Sequence, residues 1–454
     1  MDKYLSRSID QALLEWKDNP RRKPLLVRGA RQVGKSSTIR HLSKNFKYFL
    51  EVNVERNPEV MEFFKGSRDV KSIAAKLSDF FNVPVVPGET LLFLDEIQKC
   101  EDVIHSLWFF KEDYPELHVI AAGSLLEFAL KNLSSFGVGR VSSLFVYPMS
   151  FDEFLTATRQ EGLLRIKRNS SPTNPLPEAF YNRLVEAFRS YMLVGGMPEA
   201  VATYTETGSY RYSSDIVNEI IQGYQDDFAK YGAKANPLLL RQTLISVAHQ
   251  AGAKFVCSRV EGQYRSAEVK VALEMLKDAG LIIPTYHTDA NGVPLGAEIN
   301  ERVVKYLIHD TGVLLGILGI DDDIDERIKE MMVADSIDLV DKGHVAEMMA
   351  GLELIKYSSP QTRHQLYYWQ NMNKGTCAEV DYVIARSGSI VPIEVKSGVK
   401  GSMSSMYSLM RNPQKHIEMG IRCSLENFGT FASPDGKKID IIPLYAISNL
   451  FAEK

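Results

Sequence analysis

Eight consecutive residues, Gly29-Ala30-Arg31-Gln32-Val33-Gly34-Lys35-Ser36, fit the pattern G-x-x-x-x-G-K-[ST] at every fixed position. Glycine permits a tight turn, and the backbone N–H groups of such a loop converge on phosphate oxygens at the start of a helix. Lys35 places positive charge on the β- and γ-phosphates, the Ser36 hydroxyl is a ligand for Mg²⁺, and Ser37 continues the same nucleotide-binding set. A pair of acids, Asp95-Glu96, closes a later apolar run. An acid at such a strand end holds the water shell of Mg²⁺, and the next carboxylate polarises an attacking water. Ser124 follows another apolar run. It either senses the γ-phosphate or caps the next helix as the first residue of Ser124-Leu125-Leu126-Glu127. Arg140, in Gly137-Val138-Gly139-Arg140, either reaches a γ-phosphate, in cis or from a neighbouring subunit, or is a solvated surface residue. Together these residues describe the binding and hydrolysis of a nucleoside triphosphate.

The elements that must hold them are legible around them. Pro24–Val27 is a short apolar run that reads as a buried strand, and Ile39, Leu42 and Phe46 recur at helical spacing after the glycines. Tyr48–Val54 reads as a second strand. Thr90–Leu94 is continuously apolar, as a parallel strand covered on both faces should be, and His118–Ala122 is alike. Ser143–Tyr147 follows Arg140 as a further strand, and Tyr4–Trp16 has the apolar spacing of an amphipathic helix before the first.

A second group of chemistry-bearing residues lies near the C-terminus. Asp381–Ile384 and Ile390–Lys396 read as strands about a Ser387-Gly388 turn. Centring the hairpin on that turn sets Asp381 opposite Glu394 and Glu379 opposite Lys396. Alternation then places three carboxylates and a lysine on one face. Opposed Asp381 and Glu394 repel unless a cation or a nearby base such as Arg386 or Lys374 relieves them, and Glu379–Lys396 can equally be an ordinary cross-strand ion pair. Pro392 confines its strand to an edge or to the strand's start, so the register could slip by one.

Four segments occur in order: Gly29–Ser36, Leu92-Phe93-Leu94-Asp95-Glu96-Ile97-Gln98, Ala122-Gly123-Ser124-Leu125-Leu126 and Tyr147–Leu155. With them the chain resembles bacterial and archaeal AAA-type ATPases that carry a C-terminal domain of unknown function. The similarity extends through Gly195-Gly196-Met197-Pro198-Glu199 and Tyr224–Tyr231. The resemblance implies ATP as the nucleotide, and Ser36 stands where threonine is common, which keeps the Mg²⁺ ligand. The Asp381…Glu394-x-Lys396 segment resembles PD-(D/E)XK (restriction-nuclease-like) folds. That likeness implies a metal held by Asp381 and Glu394, Lys396 activating water at a phosphodiester, and Glu347 as an extra acid from the preceding helix.

Arg165–Pro177 is polar and proline-rich and reads as a boundary. Helical spacing recurs over Glu178–Leu193, Asp215–Tyr231, Pro237–Gln250 and Ala267–Ala279. Leu281–His287 and Val293–Ile299 then read as a hairpin, which gives a winged-helix order in which Lys254, Arg259, Arg265, Lys270 and Lys277 are either phosphate contacts or an ordinary solvated face. The expected division is an ATPase domain over 1–160, a helical lid over 161–235, a winged-helix-like domain over 236–325 and a nuclease-like domain over 335–454. The expected fold class is α/β, with a mostly parallel N-terminal sheet.

At 454 residues, 45% hydrophobic and 24% charged, the chain has globular composition and length for several domains. A net charge of −4 excludes a global basic field, so DNA contacts must be local. Cys100, Cys257, Cys377 and Cys423 show no Cys-x-x-Cys pair, which argues against structural zinc and for reduced thiols. Charges interrupt the N-terminal stretch, and Gly312–Ile320 is too short to span a bilayer, so a soluble, cytoplasmic protein without membrane contact is expected. The expected partners are ATP with Mg²⁺, DNA, a protein partner and further copies of the chain. Two functions follow: an ATP-dependent protein acting on DNA, or a nucleotide switch whose C-terminal domain is an inactive scaffold for a protein partner.

Overall fold

The computed structural model describes residues 4–124, 126–132, 139–231, 236–319, 342–371, 378–398 and 401–451. Gly137, Val138, Lys374 and Cys377 lie outside them. The chain divides into two compact units. The first comprises 1–147 with 278–280 and 359–363, and the second comprises 148–277, 281–358 and 364–454.

The first unit is built on a five-stranded sheet, wholly parallel, in the order β2-β3-β4-β1-β5. Its strands are β1 (Leu25–Arg28), β2 (Tyr48–Asn53), β3 (Thr90–Asp95), β4 (His118–Ala122) and β5 (Ser142–Phe145). Every residue of β3 and β4 is buried, as continuous apolar runs between two helical layers require. Leu50, Val52, Leu92 and Leu94 pack with Ile73 and Leu77 of helix Val70–Phe81 and with Ile104, Leu107 and Phe110 of helix Glu101–Asp113. The N-terminal helix begins at Ile9 rather than at Tyr4. Asp10 takes up the Arg7 N–H at 2.9 Å and the Tyr4 hydroxyl, just ahead of the first helical turn.

The second unit holds two sheets. One has the order β7-β6-β8-β9, from β6 (Ile282–Thr288), β7 (Ile299–Ile308), β8 (Leu366–Gln370) and β9 (Glu379–Val380). The other has the order β10-β11-β12-β14-β13, from β10 (Tyr382–Arg386), β11 (Ser389–Val395), β12 (Met419–Ser424), β13 (Gly429–Ala432) and β14 (Lys438–Pro443). The chain as a whole is mixed α/β.

Three local expectations change. Arg165–Arg168 is not loop but the last turn of helix Glu161–Arg168, whose Leu163, Leu164 and Lys167 are buried. Val293–Ile299 is not a strand: Leu295–Glu298 forms a short 3₁₀ turn, and the partner of β6 starts at Ile299. Glu379 does not oppose Lys396 in one ladder. The β10–β11 ladder ends at Tyr382↔Ile393, and β9 pairs instead with β8, Gln370 facing Glu379.

Candidate functional site

In the first unit the loop of residues 29–34 joins β1 to helix Lys35–Ser43. Its path needs glycine at two places. A Cβ on Gly29, at φ +146°, would lie 2.1 Å from the Val146 carbonyl oxygen, and Gly34 sits at φ 93° as the helix begins. Arg7 braces the loop from outside, donating from Nη1 to the Val33 carbonyl at 3.0 Å and from Nη2 to the Tyr147 carbonyl at 2.7 Å. No motif announced Arg7; its signal is a charged residue that the structure buries beside a helix start.

Lys35 Nζ donates to the carbonyls of Gly29 at 3.0 Å and Ala30 at 2.6 Å. Burial lowers its pKa to about 8, against the opposing pull of Glu96 and Asp95. Ser36 Oγ donates to Asp95 Oδ2 at 3.3 Å, which ties the loop to the tip of β3. Asn53 Nδ2 reaches the same oxygen at 3.5 Å, a contact that sequence reading missed. Burial and the neighbouring Glu96 raise the Asp95 pKa, the environment of an acid that a cation would relieve. Glu96 follows at φ 55°, and its Oε2 accepts from Ser124 Oγ at 3.2 Å and from Gln98 Nε2. Gly123 makes room for Gln98, since a Cβ there would lie 2.0 Å from Gln98 Oε1.

The structure therefore brings Lys35, Ser36, Asp95, Glu96 and Ser124 together. Glu127, the far end of the sequence-level capping box, is taken up by Arg28 in a two-pronged ion pair. Arg140 pairs with Glu112 at 2.6 Å and lies 3.9 Å from the Trp108 ring centroid.

A polyphosphate beside Lys35 favours its charged form, so nucleotide binding in alkaline solution should take up a proton. Calorimetry with Mg·ATP in buffers of different ionisation enthalpy should show uptake at about pH 8.5, shrinking toward zero near about pH 7 where Lys35 is already charged. A buffer-independent heat at both pH values would place a fully charged Lys35 in the nucleotide-free protein.

The carboxylates of the second unit meet around a lysine that sequence reading did not find. Lys305, on β7 and 1% exposed, donates to Glu347 Oε1 at 2.8 Å and to Glu379, with Asp381 close enough to act on it electrostatically. Its signal was there: Lys305 stands on the inward side of Val303-x-Lys305-x-Leu307, where an apolar residue is the norm. Asp381 Oδ2 accepts the Val395 N–H at 2.7 Å, and Lys396 Nζ lies 2.6 Å from Glu394 Oε1. The Ser387-Gly388 register holds, with Arg386 opposite Ser389. Pro392 sits where β12 has not yet begun to pair with β11.

Burial lowers the Lys305 pKa, but Glu347, Glu379 and Asp381 together outweigh it and the lysine stays charged. Burial lifts Glu347 to about 8 against Lys305, and burial with Asp381 lifts Glu394 to about 7 against Lys396. Among the described residues no group of three or more His, Cys, Asp or Glu side chains is arranged to hold a metal ion. None of their helices is long and apolar enough to cross a membrane.

Residues 185–324 match the family model of a domain of unknown function, DUF8612, and residues 342–447 that of another, DUF4143. No curated protein is significantly similar to the chain. Among solved structures, a chain titled as the Aeropyrum pernix Orc1 protein in complex with DNA is similar with a TM-score of 0.30 and 13% identity, over 71% of this chain and 94% of that one. Residues 21–155, which carry the phosphate loop and the Asp95-Glu96 pair, match the model of an AAA domain, so the N-terminal part of the chain carries an AAA-type ATPase domain.

Proposed function

We propose that the first unit binds Mg·ATP on the Gly29–Ser36 loop and hydrolyses it, and that the nucleotide state sets the conformation of the second unit. The Ser36–Asp95 hydrogen bond carries this reading, because it joins the two residues that would hold Mg²⁺ before any cation arrives. When bound, Mg²⁺ would neutralise phosphate charge. Lys35 would exchange its loop carbonyls for phosphate oxygens, the loop N–H groups would orient the chain of phosphates, and Glu96 would accept the proton of the attacking water.

Two readings divide the second unit. In one, Asp381, Glu394 and Lys396, with Glu347, form a metal-dependent phosphodiesterase site and the protein acts on DNA; the seating of Asp381 on the Val395 N–H and of Lys396 on Glu394 supports it. In the other, a protein partner reads the nucleotide state and the second unit is a scaffold. The placement of Lys305 among the acids favours the latter. In either reading the division at 1–160, 161–235, 236–325 and 335–454 is a proposal for where these functions reside.

The test is Mg²⁺- and Mn²⁺-dependent cleavage of plasmid and single-stranded DNA, with and without ATP. Lys35→Ala and Asp381→Ala/Lys396→Ala are run beside the wild type. The scaffold reading expects ATP hydrolysis that depends on Lys35 and no DNA cleavage. Cleavage lost in the paired variant would establish the phosphodiesterase instead. ATP hydrolysis undiminished in Lys35→Ala would overturn the nucleotide assignment itself.

A further inference from the structure

Three donors meet at one carboxylate oxygen of the first unit. Glu96 Oε2 accepts from Gln98 Nε2, from Ser124 Oγ at 3.2 Å and from the Ser124 N–H at 3.5 Å. Glu96 itself stands at φ 55°, in the left-handed region, which a residue with a side chain keeps only where its surroundings enforce it. The chain beyond it is firmly seated. Ile97–Lys99 is a single 3₁₀ turn, Ile97 is fully buried, and the Lys99 N–H donates back to the Glu96 carbonyl at 3.2 Å. Gln98 rides on that turn. Its amide lies against the bare Cα of Gly123, where a Cβ would come within 2.0 Å of Gln98 Oε1. That oxygen is buried with no hydrogen-bond partner among the described residues. The amide forgoes one hydrogen bond and points its N–H at Glu96, since the opposite flip would set oxygen against carboxylate. A strained backbone and an unmet acceptor thus sit side by side, and both serve the placement of one carboxylate.

We propose that Gln98 is a positioning residue for hydrolysis: its amide, with Ser124, holds one oxygen of Glu96 so that the other, Oε1, faces the attacking water. The inference rests on the reading of Glu96 as the proton acceptor and adds the residue that aims it. All three donors fall on Oε2, and among the described residues no hydrogen bond engages Oε1. The carboxylate is held toward the phosphate loop, because of the acids that act on the Lys35 ammonium Glu96 acts most strongly, ahead of Asp95. An unheld glutamate side chain samples several rotamers, and fixing it before the nucleotide arrives removes that search from the chemical step. In that step the water oxygen bonds to the γ-phosphorus and its proton passes to Oε1. The bond to the bridging oxygen breaks, and its electron pair leaves with ADP.

The test measures single-turnover hydrolysis of Mg·ATP and the Kd of a fluorescent ATP analogue on the full chain. Four proteins are compared: wild type, Gln98→Met, Glu96→Gln and Glu96→Gln/Gln98→Met. Methionine fills the space of glutamine and has no N–H to donate. Gln98→Met should slow turnover by about 10- to 100-fold, the scale of a misaimed group, with Kd changed by no more than about three-fold. Made in the Glu96→Gln background, the same change should slow turnover less than about two-fold, because no proton acceptor is left to aim. A residue that only supports the fold would act equally in both backgrounds, so equal losses would overturn the proposal. Turnover in Gln98→Met that matches or exceeds the wild type, while Glu96→Gln is slow, would overturn the aiming alone and leave Glu96 as the acceptor. Wild-type turnover in Glu96→Gln would remove the acceptor and the proposal with it. Should Gln98→Met fail to fold, Gln98→Asn keeps the amide, withdraws it from Glu96 by one carbon and carries the same expectation.

Discussion

Replacing Glu96 by glutamine should lower the rate of ATP hydrolysis by about 10²- to 10⁴-fold, the usual contribution of a positioned general base. The substitution is nearly isosteric, and the amide oxygen can still accept from Ser124 Oγ, so the strained φ of 55° at this position stays supported. What disappears is the ability to take a proton from water. Nucleotide affinity should change by no more than a few-fold, because the phosphate contacts proposed above come from the loop, Lys35 and Ser36, none of which bonds to Glu96. Single-turnover hydrolysis beside the Kd of a fluorescent ATP analogue separates the two quantities. A turnover reduced less than about three-fold would mean that the water is activated by another group. A collapse of affinity would mean that Glu96 shapes the loop rather than the chemistry.

The second large effect is structural. Lys167 is fully buried in the second unit, where it pairs with Asp152 and donates to Ser448 Oγ at 2.6 Å. Asp152 also accepts from the Tyr357 hydroxyl at 2.9 Å and from Arg168 at 3.1 Å. Burial raises the Asp152 pKa, yet Lys167 and Arg168 outweigh it and hold the carboxyl below its ordinary value. Lys167→Met strands most of that charge. The expected cost is about 3–5 kcal/mol, toward the lower figure because Arg168 remains. Native-state hydrogen exchange over Glu161–Arg168 should then speed up by about a hundred-fold or more, which reads the loss without assuming a single unfolding step. Asp152→Asn/Lys167→Met, which removes both charges, should recover much of it. Exchange unchanged in the single variant would show that Arg168 alone satisfies Asp152.

How far the sequence foretold these sites depended on the distance over which each is specified. The phosphate loop is local: β1, the glycines and Lys35–Ser43 lie within about twenty residues, so pattern and spacing sufficed. The hairpin register from Tyr382↔Ile393 to Arg386↔Ser389 was equally legible, because the turn at Ser387 and Gly388 has positive φ at both residues, a geometry that fixes pairing on either side. Lys305 was not legible as a member of the cluster. It reaches Glu379 through a sheet in which β6 pairs with β8, a parallel pairing that no hairpin rule foresees. Misreading Val293–Ile299 as a strand hid it further, since the inward positions of the true strand begin after Ile299. Arg7 escaped for the complementary reason. A single polar residue in an amphipathic pattern reads as solvent-facing until its carbonyl partners, contributed by Val33 and Tyr147, are known.

The first unit is completed by residues 278–280 and 359–363, and the Pro360 carbonyl accepts the N–H of Phe145 at 2.8 Å. During synthesis this has a cost in time. The ATPase strands are all made once β5 leaves the ribosome, but the segment that closes β5 follows some two hundred residues later. At translation rates of roughly 5–20 residues per second, a gap of about 10–40 s separates the two events. Throughout that interval the nascent chain carries an ATPase sheet with an unclosed margin. A nascent or truncated chain ending near residue 160 would be in the same condition.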